Sequence, residues 1–124
     1  MRASPQILVR STGEVAVFDI SGYLTEDSEE EMNSAYQQEE VQEAEKILLN
    51  FDPQSFITSS GFGLIVKLLW NTRDKGQVLR VSHPSDQVRK IFDIIGLTRN
   101  LKGLPPETRT IEIFSSEEEA LADF

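Results

Sequence analysis

Apolar positions along the chain come in two rhythms. Ile7-Leu8-Val9-Arg10 and Val15-Ala16-Val17-Phe18-Asp19-Ile20 are short apolar runs on either side of Thr12-Gly13-Glu14, a turn signal. They read as two strands of an antiparallel hairpin. Ser21-Gly22-Tyr23-Leu24-Thr25 breaks the pattern. Thr25 or Ser28 can then cap a helix, and Ser28 with Glu31 has capping-box spacing. Met32, Ala35 and Tyr36 form its apolar stripe, while Val41 and Ala44 fall out of phase and leave the helix end open. Ile47-Leu48-Leu49-Asn50-Phe51, bounded by Asp52-Pro53, reads as a buried strand.

After that strand the rhythm lengthens. Leu64, Ile65, Leu68 and Leu69 lie on one face of a helix running from about Ser60 to Asp74, closed by Lys75-Gly76. Val78-Leu79-Arg80-Val81 is the next strand. Ser85 opens a helix with Val88, Ile91, Phe92 and Ile95 at i, i+3, i+4, i+7, ended by Gly96. Leu97 to Thr108 reads as a loop, and Thr110 to Phe114 as the last strand. Ser115 or Ser116 opens a final helix, with Glu118 or Glu119 at capping-box spacing and Ala120, Leu121 and Phe124 docking it. The order is β-β-α-β-α-β-α-β-α. Helical connections favour parallel strands with right-handed crossovers. The expected fold is α/β: a small mixed sheet, an N-terminal hairpin followed by parallel strands, packed with about four helices. Its expected core is Val17, Phe18, Ile20, Leu48, Leu49, Ile57, Leu64, Ile65, Leu68, Val81, Ile91, Phe92 and Ile113.

Composition narrows the chemistry. The 124 residues suit a single domain spanning 1–124, and no repeat or linker interrupts them. No apolar run approaches the ~20 residues of a membrane span, and the first residues lack the apolar stretch of a signal peptide. The expected location is the cytoplasm. A net charge of −9 argues against nucleic-acid binding. That charge is uneven: Glu26 to Glu45 holds nine acids and no base, whereas Lys67 to Lys102 holds eight of the twelve bases and three acids. The acidic stretch is either a solvated helix face or a surface that steers a protein partner. With no cysteine and one histidine, His83, the chain offers no metal cluster, no thiol chemistry and no catalytic set. Gly61-Phe62-Gly63 makes no dinucleotide fingerprint, no phosphate-loop lysine follows, and no cofactor is implied.

One stretch remains, Phe56-Ile57-Thr58-Ser59-Ser60-Gly61-Phe62-Gly63, where a strand hands over to a helix. Its plain reading is a hydroxyl N-cap with small residues for close packing. Its sharper reading is a regulated hydroxyl. Phosphorylation would add about −1.5 to −2 charges at a helix start and repel a docked partner.

The segments Ile47 to Phe51 and Phe56 to Gly63 resemble the core of the STAS-domain family of bacterial anti-sigma factor antagonists, where a buried strand leads into an Asp-Ser-Ser-Gly-Leu-Gly type turn. Further pieces match in order. Phe18 to Leu24 looks like the strand ending in Ser-Gly-Glu-Leu-Asp, and Val88-Arg89-Lys90-Ile91-Phe92 resembles a Val-Arg-Arg-Ile-Phe helix. Gly96-Leu97-Thr98-Arg99 is similar to a Gly-Leu-Asp-Arg exit, and Ser115 to Leu121 to the terminal helix. The resemblance implies a binding switch, not an enzyme. The unphosphorylated form would bind an anti-sigma factor that is also a serine kinase, and so free a sigma factor. The kinase would phosphorylate the first serine of the turn, Ser59, a phosphatase would reverse this, and Ser60 would be the capping and packing neighbour. Two positions depart from the pattern: Thr58 and Thr25 stand where the family has Asp. Relatives without a phosphorylation cycle give an alternative, a constitutive scaffold or transporter-associated subunit.

The strand-end geometry predicts a partner surface made of Gly22, Tyr23, Thr25, Thr58, Ser60, Gly61 and Phe62 around Ser59, because both segments follow parallel strands. Glu26, Asp27, Glu29 and Glu30 would steer a basic partner to it.

Overall fold

The computed structural model describes residues 6–95 and 113–124. β1 (Gln6–Thr12) and β2 (Val15–Ser21) form the hairpin, and β4 (Lys46–Phe51), β6 (Val78–Ser82) and β7 (Ile113–Phe114) extend it into a five-stranded sheet of order β1-β2-β4-β6-β7. Only β1–β2 is antiparallel; the other pairs are parallel. The helices are α1 (Glu29–Tyr36), α2 (Glu39–Gln42), α3 (Ser59–Asp74), α4 (Asp86–Ile95) and α5 (Glu117–Asp123). The mixed α/β architecture expected from the sequence is therefore present. Gly96 to Glu112, including the expected loop and the Gly96-Leu97-Thr98-Arg99 exit, lie outside the described residues.

The central strands are apolar on both faces because both are covered. Ala16, Phe18 and Ile20 of β2 and Ile47, Leu49 and Phe51 of β4 share the main core with residues of α1, α3 and α4. Val15, Val17 and Leu48 face the opposite way, against Ala120 and Leu121 of α5 and the terminal Phe124. Arg80 lies over the Phe124 ring at 4.8 Å and closes that smaller cluster. Every residue of the expected core is buried except Ile91 and Ile113, which are half-buried against it. Leu68, 2% exposed, sits in the main core. Leu68→Ala should lower stability by about 2–5 kcal/mol, read from urea denaturation midpoints; a loss under ~1 kcal/mol would place the side chain outside the core.

Beyond Leu48 and Val17, the second sheet face turns polar. Asp19, Asn50 and Ser82 occupy one register row. The Ser82 hydroxyl donates to Asn50 (2.8 Å), and the Asn50 amide donates to Asp19 (2.9 Å). Arg10 donates to both Asp19 (2.5 Å) and Glu117 (2.5 Å), tying the hairpin to the start of α5. Burial pushes the Asp19 carboxyl up, but its bonds from Arg10 and Asn50 hold it below its ordinary value.

The helix after β2 shows why Val41 and Ala44 were out of phase. The chain stops at Tyr36, turns, and restarts as α2, which points a fully buried Val41 into the core. Gln77 staples this break. Its amide donates to the Val41 and Ala44 carbonyls (2.9 and 2.7 Å) while its oxygen accepts from the Tyr36 hydroxyl (2.8 Å). Buried, and near the Asp74 charge, that hydroxyl has its pKa raised.

Candidate functional site

Ser21–Thr25 is not a simple break in the pattern. Gly22, at φ 80°, swings the chain out of the main sheet, a conformation that suits a residue without Cβ. Tyr23–Leu24 then forms β3, which pairs in parallel with β5 (Phe56–Ile57) in a separate two-stranded ribbon. Phe56 N–H donates to the Gly22 carbonyl (3.0 Å) and Thr58 N–H to the Leu24 carbonyl (3.1 Å). The two segments expected to share one end of the sheet are thus joined directly by backbone bonds.

Thr58 is the N-cap of α3. Its hydroxyl accepts from Gly61 N–H at 2.9 Å, and its carbonyl accepts from Phe62 N–H at 2.8 Å. The helix therefore begins at Ser59, one residue before the expected start, and Ser60 is not the cap. Across the ribbon, Thr25 caps a single 3-10 turn, Glu26–Ser28. The Thr25 hydroxyl accepts from Asp27 N–H (3.1 Å), and Ser28 Oγ accepts from Thr25 N–H (3.0 Å), a reciprocal capping box. Ser28 makes no side-chain cap on α1. Thr58 and Thr25 thus each cap through a hydroxyl, without the charge a carboxylate would bring.

The turn is held from below as well. Gly61 lies so close to β3 that a Cβ there would fall 2.1 Å from the Leu24 carbonyl oxygen. Phe62 is 1% exposed and meets Phe92 edge-on at 4.8 Å, with Phe51 behind. The free side of β5 is occupied by a side chain of α4. Gln87 accepts from Ile57 N–H (2.8 Å) and donates to the Ile57 carbonyl (2.7 Å), replacing a third strand. Ser85 donates to the Ser55 carbonyl (2.8 Å) and accepts from Val88 N–H (3.1 Å), so the residue that starts α4 also holds the loop before β5. Neither Gln87 nor Ser85 was legible as part of this site, since their partners lie thirty residues away.

Of the residues expected around Ser59, the structure presents some and buries others. Ser59 and Ser60 are exposed, Gly22, Tyr23 and Thr58 are half-exposed, and Thr25, Gly61 and Phe62 are buried. The last three shape the surface from within; their side chains are not offered to a partner. Phe56, 38% exposed, was not among the expected site residues. Its ring lies 5.2 Å from that of Tyr23 and makes an exposed aromatic pair on the ribbon. Tyr and Phe are enriched in interface cores. Of the four expected steering acids, Glu29 is paired with Lys67 of α3 (2.8 Å), which holds its carboxyl below the ordinary value. Among the described residues no group of His, Cys, Asp or Glu is placed to hold a metal ion, and no helix is long and apolar enough to cross a membrane.

What the arrangement can do follows from Ser59. It is the first residue of α3, and its side chain is exposed at the positive end of the helix dipole. A phosphoryl group on Ser59 would gain the favourable end of the helix dipole without disturbing Thr58, Gly61 or Phe62.

The STAS domain family model matches residues 6–120. Comparison with curated protein sequences finds no match. Among solved structures, the protein TM1081 of Thermotoga maritima is 15% identical and superposes with a TM-score of 0.74 over 99% of this chain and 91% of its own. The anti-sigma factor antagonist SpoIIAA in its unphosphorylated form is 22% identical, with a TM-score of 0.65 over 97% of this chain and 95% of its own. The phosphorylated form of the Bacillus cell fate determinant SpoIIAA, also 22% identical, gives 0.59 over 97% and 98%.

Proposed function

The chain belongs to the STAS domain family, and from that premise we propose that it is an anti-sigma factor antagonist acting in the cytoplasm. It is a binding module, not an enzyme, that sequesters an anti-sigma factor with serine kinase activity. Phosphorylation of Ser59 switches it off and a serine phosphatase restores it. The observation that carries this reading is the exposed Ser59 side chain at the first residue of α3, on a turn otherwise fixed by backbone pairing, caps and core packing. Such a turn can gain a phosphate and keep its shape. The reading is supported by likeness to a protein, SpoIIAA, solved in both an unphosphorylated and a phosphorylated form.

Partner contact would centre on the Tyr23–Phe56 pair and the Thr58–Ser60 turn. The test is incubation of the full chain with the native partner kinase and ATP, followed by mass spectrometry of the turn. Phosphate on Ser59 is the expected result. A second reading, a constitutive STAS scaffold or transporter-associated subunit, is favoured by one feature: Thr58 and Thr25 supply caps but no carboxylate beside Ser59. No phosphate on Ser59 in a demonstrably active assay would select that reading.

A further inference from the structure

β1 is the outer strand of the five-stranded sheet, and it is one of the two longest. Its inner side pairs with β2 over all seven residues, from Gln6↔Ser21 to Thr12↔Val15. Among the described residues no backbone group bonds to its outer side. An open strand edge is a template for another strand unless charge, proline or a covering element blocks it. Among the described residues none of these blocks β1. It contains no proline, and its one charged residue, Arg10, is drawn across the second sheet face to Asp19 and Glu117.

The two faces beside this edge differ. Toward α1, a groove of about 560 Å³ runs between β1 and the helix, with Ile7 and Ala35 among its lining and Glu30 and Glu31 on its α1 side. Neither glutamate has an ion-pair partner among the described residues, unlike Glu29 one position earlier. On the other face, Leu8 is 57% exposed, an apolar side chain with open space beside it.

We infer that this edge accepts an extended basic segment of a partner protein as an added strand. In a strand, side chains alternate between faces. Those toward α1 would be lysine or arginine, their stems along Ile7 and Ala35 and their charges at Glu30 and Glu31. Those on the other face would be apolar and lie beside Leu8. Main-chain bonds supply affinity and the alternation supplies specificity. A second copy of this chain is a poorer occupant. Antiparallel pairing of two β1 strands about a two-fold axis keeps both α1 helices on one side of the seam. Glu30 and Glu31 would then face their own counterparts, in a chain of net charge −9. This surface is independent of Ser59 phosphorylation.

The test uses the full chain and two acetylated nonapeptides of five lysines and four valines, one strictly alternating and one with the residues in two blocks. Amide exchange and chemical shifts are followed by NMR. The alternating peptide should protect outer-edge amides of β1 and shift α1, with affinity falling as salt rises. Double replacement Glu30→Lys with Glu31→Lys, both exposed, should weaken it about tenfold while leaving the spectrum of the free protein dispersed. With peptide present, three results overturn the inference: equal binding of the block peptide, binding without protection of β1, or unchanged affinity in the double variant. Protection of β1 that depends on protein concentration without peptide would assign the edge to a second copy, which also overturns it.

Discussion

Gly61→Ala should destabilise the protein by about 2–4 kcal/mol and disorder the turn around Ser59. A Cβ at Gly61 would stand 2.1 Å from the Leu24 carbonyl oxygen, 2.6 Å from its carbon and 3.0 Å from Thr25 Cα. These are backbone atoms, so no rotamer change relieves the overlap. The oxygen also accepts the Thr58 N–H that joins β3 to the α3 cap. Moving Leu24 away breaks that bond, and moving α3 away pulls Phe62 from Phe92. Overpacking alone costs about 1–3 kcal/mol, and a lost buried bond adds roughly 1 more. The neighbouring glycine is the internal control. Nothing lies within 4 Å of a Cβ at Gly63, which is exposed inside α3. Gly63→Ala should therefore be neutral or stabilise by up to about 1 kcal/mol through helix propensity. Urea denaturation of both variants separates the outcomes. Equal stability of the two would show that α3 does not pack on β3 as described.

What the sequence reveals of this architecture depends on the range over which each signal acts. β2 and β4 were legible as continuous apolar runs, as strands covered on both faces must be, and α3 by its helical period, which puts Ile65 and Leu68 in the core. The β3–β5 ribbon was not, since two-residue strands carry no period, and its stability comes from Gln87 and Ser85 on a distant helix. The end of α1 was illegible for a related reason: only the fold shows that Gln77 can satisfy the carbonyls of Val41 and Ala44 and so permit a break. At the site, the serine pair and its glycines were visible from the turn chemistry alone. Thr58 as cap instead of Ser60 came down to a shift of two positions, which hydroxyl spacing cannot resolve when three hydroxyls stand in a row. Phe62 was placed with the surface by its neighbours in sequence, whereas helical geometry four residues past the cap points it inward, onto Phe92. Phe56 is the reverse case. An aromatic in a strand suggests core, but Ile57 takes the inner position, and the alternation leaves Phe56 outside beside Tyr23.

Ser59→Asp should leave stability within about 1 kcal/mol of the native chain yet weaken partner binding by roughly a hundredfold. The stability half follows from position. An acid in the first turn of a helix is favoured by the dipole by about 0.3–1 kcal/mol, and an exposed Ser59 contributes no packing to lose. The binding half follows from desolvation. A partner seated on Tyr23, Phe56 and the turn would cover residue 59, and a buried carboxylate without a counter-charge costs several kcal/mol, of which about 2.7 is a hundredfold in affinity. Lys67, two turns along α3, is committed to Glu29. Ser59→Ala separates charge from side-chain loss. It should bind within about threefold of the native chain and resist phosphorylation, since it removes only one hydroxyl. The comparison is made by calorimetric titration of the three proteins with the same partner, each first checked for an unchanged denaturation midpoint. If Ser59→Asp binds as tightly as Ser59→Ala, the turn is not where the partner docks, and the phosphorylation switch fails with it. If both bind weakly, the hydroxyl itself is a contact, and the loss in Ser59→Asp no longer measures charge.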